Sequence, residues 1–298
     1  MSRLAPFQRA PFTIIDGGLS TALEELGEQP RGLLWTASAL LDRPEVITAA
    51  HRRYVDAGAD IVISSSYQAS EDGFVVAGVP APEARRLLAS TTAVARASGA
   101  AAVAASVGPF GACLGDGSEY HGRYDASWDD VRAFHRRRLE VLVDSGPDLF
   151  AIETIPTAVE ARIVAEELRS LTDAHAWLTF SCRDEHRTCG GDRFAEAVVE
   201  VAALVDAVGV NCTAPGLVAS LLADAATDLP LVAYPNHGAA WDAAHRCWIG
   251  PTGGAEIPGL VPDWWAAGAR FVGGCCGVGS TGIRALHQQR NAMETARG

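Results

Sequence analysis

Val205-Asp206-Ala207-Val208-Gly209-Val210-Asn211-Cys212-Thr213-Ala214-Pro215 carries the reading of this chain. The run from Val205 to Asn211 is apolar with little polar alternation, which suits a strand buried on both faces of a parallel sheet. It ends in a cysteine, and Pro215 then opens a helical stretch to Ala225, at a position where proline's missing N–H costs nothing. The same strand–turn–helix grammar recurs along the chain. Strands are expected at Phe12–Asp16, Asp60–Ser65, Ala101–Val107, Asp148–Glu153, Ala176–Ser181, Pro230–Tyr234 and Ala269–Val272. Helices are expected at Pro44–Ala57, Pro82–Ser98, Ser127–Asp144, Pro156–Leu171, Arg193–Leu204, Pro258–Ala267 and Ser280–Gln289. Eight strand–helix units in 298 residues match an α/β chain folded as a (β/α)8 TIM-type barrel. An open doubly wound sheet is the competing architecture; against it, the first strand ends in Asp16-Gly17-Gly18-Leu19 with no Gly-x-Gly-x-x-Gly turn. With no linker or repeat, residues 1–298 read as a single barrel domain.

Composition narrows the function. The formal net charge is -12, from 36 acidic and 24 basic residues, and no basic stripe points to nucleic acid. Arg136-Arg137-Arg138 reads as a solvated helix face with one residue turned inward. No apolar run reaches the ~20 residues of a membrane helix, and the N-terminus lacks a signal-peptide pattern. Seven cysteines, an odd number, in a chain of this size imply reduced thiols and a cytoplasmic location. Two glycine- or aromatic-rich stretches, Phe110–Asp125 and Pro235–Glu256, read as long loops. In a barrel both lie on the C-terminal face, where active sites gather.

Cys212 and the pair Cys275-Cys276 close two of these strands, on that same face. Three thiolates there suit one soft metal ion with an open fourth position, the mark of a catalytic zinc site. Gly273-Gly274 and Gly277 let the backbone turn so that adjacent cysteines reach one ion. Inert buried thiols and a strained vicinal disulfide are the alternatives. Cys113, Cys182, Cys189 and Cys247 are scattered and read as packing. Asp16 and Glu153 end strands at the barrel mouth. A charge there is costly unless paired or wetted, so they suit recognition of an ammonium group, or else an internal salt bridge or loop cap. Ser64-Ser65-Ser66-Tyr67-Gln68 offers short donors and an aromatic, or simply turn chemistry. No Gly-x-Ser-x-Gly elbow or His-Glu-x-x-His pair is present, which sets aside serine hydrolases and zincins.

These segments resemble the homocysteine S-methyltransferases. The matching stretches are Asp16-Gly17-Gly18, Ser66-Tyr67-Gln68-Ala69-Ser70, Ser106-Val107-Gly108-Pro109 and Asp116-Gly117-Ser118-Glu119-Tyr120 with Gly122 and Tyr124. Further along come Phe134-His135-Arg136, Glu153-Thr154-Ile155-Pro156, Gly209-Val210-Asn211-Cys212, Tyr234-Pro235-Asn236 and Gly273-Gly274-Cys275-Cys276-Gly277. The resemblance implies a barrel enzyme whose zinc is held by Cys212, Cys275 and Cys276. It implies that Asp16 and Glu153 handle the amino-acid end of homocysteine, with Gly17, Ser66, Tyr67, Gln68 and Asn236 at the substrates. The loop Asp116–Tyr124 resembles members that use S-methylmethionine rather than betaine or a folate, with S-adenosylmethionine the weaker donor. Tyr67, Tyr124 or Trp241 would then hold the sulfonium by cation–π contact. The other readings are the same site methylating another thiol or a selenol such as selenocysteine, and a non-catalytic zinc-storing or redox-sensing barrel. The chain departs from the family pattern at Gly277-Val278-Gly279-Ser280, where Ser280 is expected to cap the last helix, and in the loop Arg183–Asp192.

Overall fold

The computed structural model describes residues 4–28, 39–238, 240–242, 247–249 and 254–296, with only the backbone described at 240–242, 247–249 and 255. Eight parallel strands form the barrel: β1 (Thr13–Ile14), β2 (Ile61–Ile63), β3 (Ala102–Val107), β4 (Leu149–Ile155), β5 (Ala176–Phe180), β6 (Ala207–Asn211), β7 (Leu231–Tyr234) and, last in the chain, β10 (Ala269–Val272). Their order is β1-β10-β7-β6-β5-β4-β3-β2. The ring closes where Ile15 bridges Ile61 in parallel, with Asp16 N–H donating to Ile61 O at 3.0 Å. This is the (β/α)8 barrel that the alternating pattern predicts.

The helices are α1 (Leu19–Glu25), α2 (Ala39–Asp42), α3 (Pro44–Ala57), α4 (Glu71–Val76), α5 (Ala81–Arg96), α6 (Phe110–Leu114), α7 (Trp128–Asp144), α8 (Ala158–Leu171), α9 (Phe194–Val201), α10 (Pro215–Asp224), α11 (Ile257–Ala266) and α12 (Ser280–Thr295). Proline opens α3 and α10 as expected. It does not open α8: Thr157 caps that helix, its hydroxyl accepting from Glu160 N–H. Ser127 caps α7 in a reciprocal capping box with Asp130. Ser280 is not the cap of α12. It is the first helical residue, and its N–H and hydroxyl both donate to the Glu25 carboxylate. Of the arginine run, Arg138 alone is turned inward and fully buried.

Two segments read as loops contain structure. Phe110–Asp125 holds α6 and a 3-10 turn at Ser118–Tyr120. Pro235–Glu256 holds an antiparallel pair, β8 (Ala240–Asp242) with β9 (Cys247–Ile249). His245 and the side chains of Trp241, Cys247 and Trp248 lie outside the described residues.

Period-two alternation sorts the barrel interior into layers. The lower layers are apolar: Ala102, Ala104, Leu149, Ala151, Trp177, Ala207, Val232 and Phe271 pack with Ile15, Ile61 and Leu4. Two residues further along β3, β4, β5 and β7, and four along β6, the inward positions turn polar: Ser106, Glu153, Thr179, Asn211 and Tyr234, all buried. They satisfy one another. Thr179 Oγ1 donates to Asn211 Oδ1 at 2.8 Å and lies 2.9 Å from the Tyr234 hydroxyl, which also accepts from Trp177 Nε1 at 3.2 Å. The candidate site stands on this polar layer.

Candidate metal centre and active site

Cys212 sits one residue past the end of β6 and is buried, with a left-handed backbone at φ 47°. That twist lifts its sulfur out of the strand's alternation and toward the turn after β10. Close approaches hold this turn. Cys275 N–H donates to Pro235 O at 2.8 Å, Gly274 N–H to Asp16 O at 3.0 Å, and Gly277 N–H to Thr21 Oγ1 at 2.9 Å. His237 N–H donates to Cys276 O at 3.0 Å. The β1 end has to be glycine to admit it: a Cβ on Gly17 would stand 2.2 Å from Val278 O, and one on Gly18 2.8 Å from Cys275 O.

The result is a three-sulfur cluster. Cys212 Sγ lies 3.8 Å from Cys276 Sγ, Cys275 Sγ lies 3.9 Å from Cys276 Sγ, and all three fall within 4.8 Å of one another. Among the described residues no other group of histidine, cysteine or carboxylate atoms is so disposed. The hydrogen bond with Cys212, then burial, pushes the Cys275 thiol well up, and Cys212 and Cys276 are raised too. Three thiols so close gain from ionising only beside a cation. The donor set is all sulfur and incomplete, which fits a zinc-type ion with one position left for a ligand. Asn211 Nδ2 reaches Cys275 Sγ at 4.0 Å, and the Tyr120 hydroxyl lies 3.9 Å from Cys212 Sγ.

The carboxylates sit beside this cluster. Glu153 accepts from the Ser106 hydroxyl, and burial pushes its carboxyl up to about 7 despite that bond. Asp16 accepts from Ile63 N–H at 3.0 Å and faces His51 Nδ1 at 3.8 Å; burial raises its carboxyl against the opposing pull of His51. Thr154, after Glu153, is also left-handed at φ 62°; its N–H donates to Asn211 Oδ1 at 2.6 Å and its Oγ1 accepts from Asn211 Nδ2 at 2.7 Å. One amide thus ties the carboxylate strand to the cysteine strand.

The remaining expected residues divide. The Ser66 hydroxyl donates to Ser106 O at 2.8 Å, so it braces β2 against β3. Tyr67 lies over Gly108, where a Cβ would meet its ring at 2.7 Å. Gln68 Nε2 donates to Ala112 O at 3.2 Å, tying the β2 end to α6. Asn236 Nδ2 donates to Cys212 O at 3.4 Å and its Oδ1 accepts from Gly238 N–H. Beneath them the Arg138 guanidinium donates to Gly108 O at 2.9 Å, to Tyr67 O at 2.6 Å and to Ser66 O. Burial lowers its pKa. Buried Glu160 gathers the Phe110–Asp125 segment: it accepts Phe110 N–H at 2.6 Å and the Tyr124 hydroxyl at 2.5 Å, with His135 Nε2 at 3.0 Å. Sequence reasoning assigned no role to Arg138, Glu160, Thr179 or Asn211. For Asn211 the available signal was a polar residue closing an otherwise apolar strand, as Glu153 does near the end of β4.

A profile described as homocysteine S-methyltransferase matches residues 13–290. A maize homocysteine S-methyltransferase is 40% identical over 92% of this chain and 87% of its own. The homocysteine S-methyltransferase of Escherichia coli is 38% identical, over 95% of this chain and 96% of its own. A selenocysteine Se-methyltransferase from Brassica oleracea var. italica is 37% identical, over 93% and 88%. Among solved structures, the metallated form of the Escherichia coli homocysteine methyltransferase MmuM superposes with a TM-score of 0.84 at 36% identity, covering 94% of this chain and 97% of that one.

Proposed function

The chain belongs to the homocysteine S-methyltransferase family, and from that premise we propose that it moves a methyl group from a sulfonium donor, S-methylmethionine before S-adenosylmethionine, to the sulfur of homocysteine, giving methionine. The three-sulfur cluster at the barrel mouth carries this reading, supported by a relative of known structure in a metallated form. Cys212, Cys275 and Cys276 would hold a zinc ion, which when bound would supply Lewis acidity that keeps a fourth, incoming thiol ionised and nucleophilic at neutral pH.

The chain's own residues do the rest. Glu153 and Asp16 offer carboxylates to the homocysteine ammonium at a depth where water is scarce. Such a contact is worth more there than at the surface. The Ser106 hydroxyl and the Ile63 amide hold those carboxylates in place. An acceptor ionised in that way would release its proton to solvent and would require no side-chain base. The aromatic groups Tyr67 and Tyr120 line the approach to Cys212. They exclude water and offer ring faces to a cation. The methyl then passes in line between two sulfurs, and alignment is the protein's main contribution.

A second reading is favoured by one relative, the selenocysteine Se-methyltransferase: a selenol occupying the acceptor position. Among the described residues no helix is long and apolar enough to cross a membrane. The six described cysteines are free thiols, which suits a reducing cytoplasm. Methionine formation assayed with homocysteine and each donor in turn, beside selenocysteine as acceptor and with chelator controls, tests the proposal. Turnover with betaine or methyl-folate and with neither sulfonium would overturn the donor assignment.

A further inference from the structure

Of the carboxylates around the mouth, Glu119 is the one whose needs the fold does not meet. Asp16 has the Ile63 amide, Glu153 has the Ser106 hydroxyl, and Asp116, which is exposed, caps its own turn by accepting from Ser118 N–H at 2.9 Å. Glu119 Oε2 is buried with no hydrogen-bond partner among the described residues. Its own backbone N–H is the donor acting on the carboxylate, and burial pushes the group up to about 7. The backbone that carries the side chain is not a loose loop. The Ser118–Tyr120 turn is wedged against α6, where a Cβ on Gly111 would stand 2.5 Å from Glu119 N. The segment is also pinned at both ends by Glu160, through Phe110 N–H and the Tyr124 hydroxyl.

The position is specific. The next residue, Tyr120, puts its hydroxyl 3.9 Å from Cys212 Sγ. The Glu119 charge is felt at the hydroxyls of both Tyr67 and Tyr120, and Tyr120 follows it in the same turn. A buried acceptor without a donor is costly to maintain, and it is the complement of a ligand N–H. A sulfonium centre has no N–H to give. An α-ammonium has three.

Building on the donor reading above, we infer that Glu119 Oε2 receives the ammonium group of the methyl donor, so that the enzyme selects sulfonium amino acids over sulfoniums that lack an amine. Homocysteine and donor are then read by separate carboxylates, Glu153 with Asp16 for the acceptor and Glu119 for the donor. Glu119 is a specificity determinant, and the sulfonium itself faces the aromatic rings.

The test compares zinc-loaded wild type with Glu119→Gln, which keeps the shape and removes the charge. Two donors are used: S-methylmethionine, and 3-dimethylsulfoniopropionate, which has the sulfonium but no amine. The expected result is a KM for S-methylmethionine raised at least ~10-fold in the variant. Zinc content and homocysteine KM stay unchanged, and kinetics with the amine-free donor are alike in both proteins. Equal losses with both donors would assign the carboxylate to the sulfonium, and no change with either would remove Glu119 from the donor site; both overturn the inference while sulfonium transfer stands. If wild type turns over neither donor, the donor reading fails. Calorimetric titration of S-methylmethionine into the two proteins then decides the ammonium contact alone: weaker binding to Glu119→Gln supports it, and equal or absent binding overturns it.

Discussion

Cys212, Cys275 and Cys276, the proposed metal ligands, are held in different ways, one by a twisted strand end and two by a turn. Replacing any one by serine leaves a harder and mismatched set. Each variant is expected to lose bound zinc and to fall below ~1% of wild-type turnover, checked by metal analysis beside the methionine assay. Full metal and full rate in all three would refute the cluster's role. Glu153→Gln is expected to keep zinc and raise the homocysteine KM at least ~10-fold. It also carries a signature in pH. The folded carboxyl titrates at about 7 against 4.5 for an unperturbed glutamate, so the folded chain holds this proton longer than the unfolded one. Stability contributed by the neutral acid is full below pH 4.5 and declines as the pH rises to about 7. The ceiling on this effect is ~3 kcal/mol. In metal-free protein, thermal melts above pH 7 should show Glu153→Gln the more stable, with the gap closing toward pH 4.5. The three cysteines and the two acids were legible in the sequence because each closes or follows an apolar run on the face where barrel strands end. Tyr120 and Glu160 were not, because their contacts with Cys212 and with Phe110 span 92 and 50 residues.

At the scale of elements, the side of the mouth proposed for the donor rests on two buried groups. Glu160, on α8, ties down both ends of the segment between β3 and α7. Tyr124→Phe removes one tie and leaves a carboxylate oxygen short of a donor, at a cost of ~1–3 kcal/mol. A Tm lower by several degrees and a raised donor KM are expected, with zinc content held; an unchanged donor KM would make the tie purely structural. Arg138, on α7, donates to carbonyls of Ser66, Tyr67 and Gly108. Arg138→Met strands all three, and denaturant titration should show a loss of at least ~3 kcal/mol. Strand and helix positions followed from the apolar pattern, with α3 and β10 bounded as read. What escaped was short: α1, α4, α6 and the β8–β9 pair. Pieces of three to seven residues carry too little periodicity to register, and they form because the barrel beneath them supplies a surface.

For the whole molecule, the metal and the fold are separable. Closure at Ile15 and Ile61 and the layered apolar interior owe nothing to the sulfur cluster at the strand tops. Chelation should therefore abolish turnover, leave far-UV circular dichroism unchanged and lower Tm by only the binding linkage, with activity regained on adding zinc. Loss of helical signal on chelation would contradict this. The strand count and the barrel architecture were readable from eight strand–helix units, since a parallel sheet of that length has few ways to close. Its polar upper layer emerged only with the register between strands. Strain has gathered there too. Among the described residues, Thr154 and Cys212 are the non-glycine residues with left-handed backbones, and both flank Asn211. Such backbone costs of order 1 kcal/mol in a residue other than glycine. An evolving population screened for heat tolerance alone would thus be rewarded for writing glycine in place of Cys212, whereas at Thr154 the gain is offset by the Asn211 amide left without its acceptor. Survivors that had lost Cys212 would lack one of the three sulfurs, and a thermostabilisation campaign on this enzyme has to hold the Cys212 codon fixed.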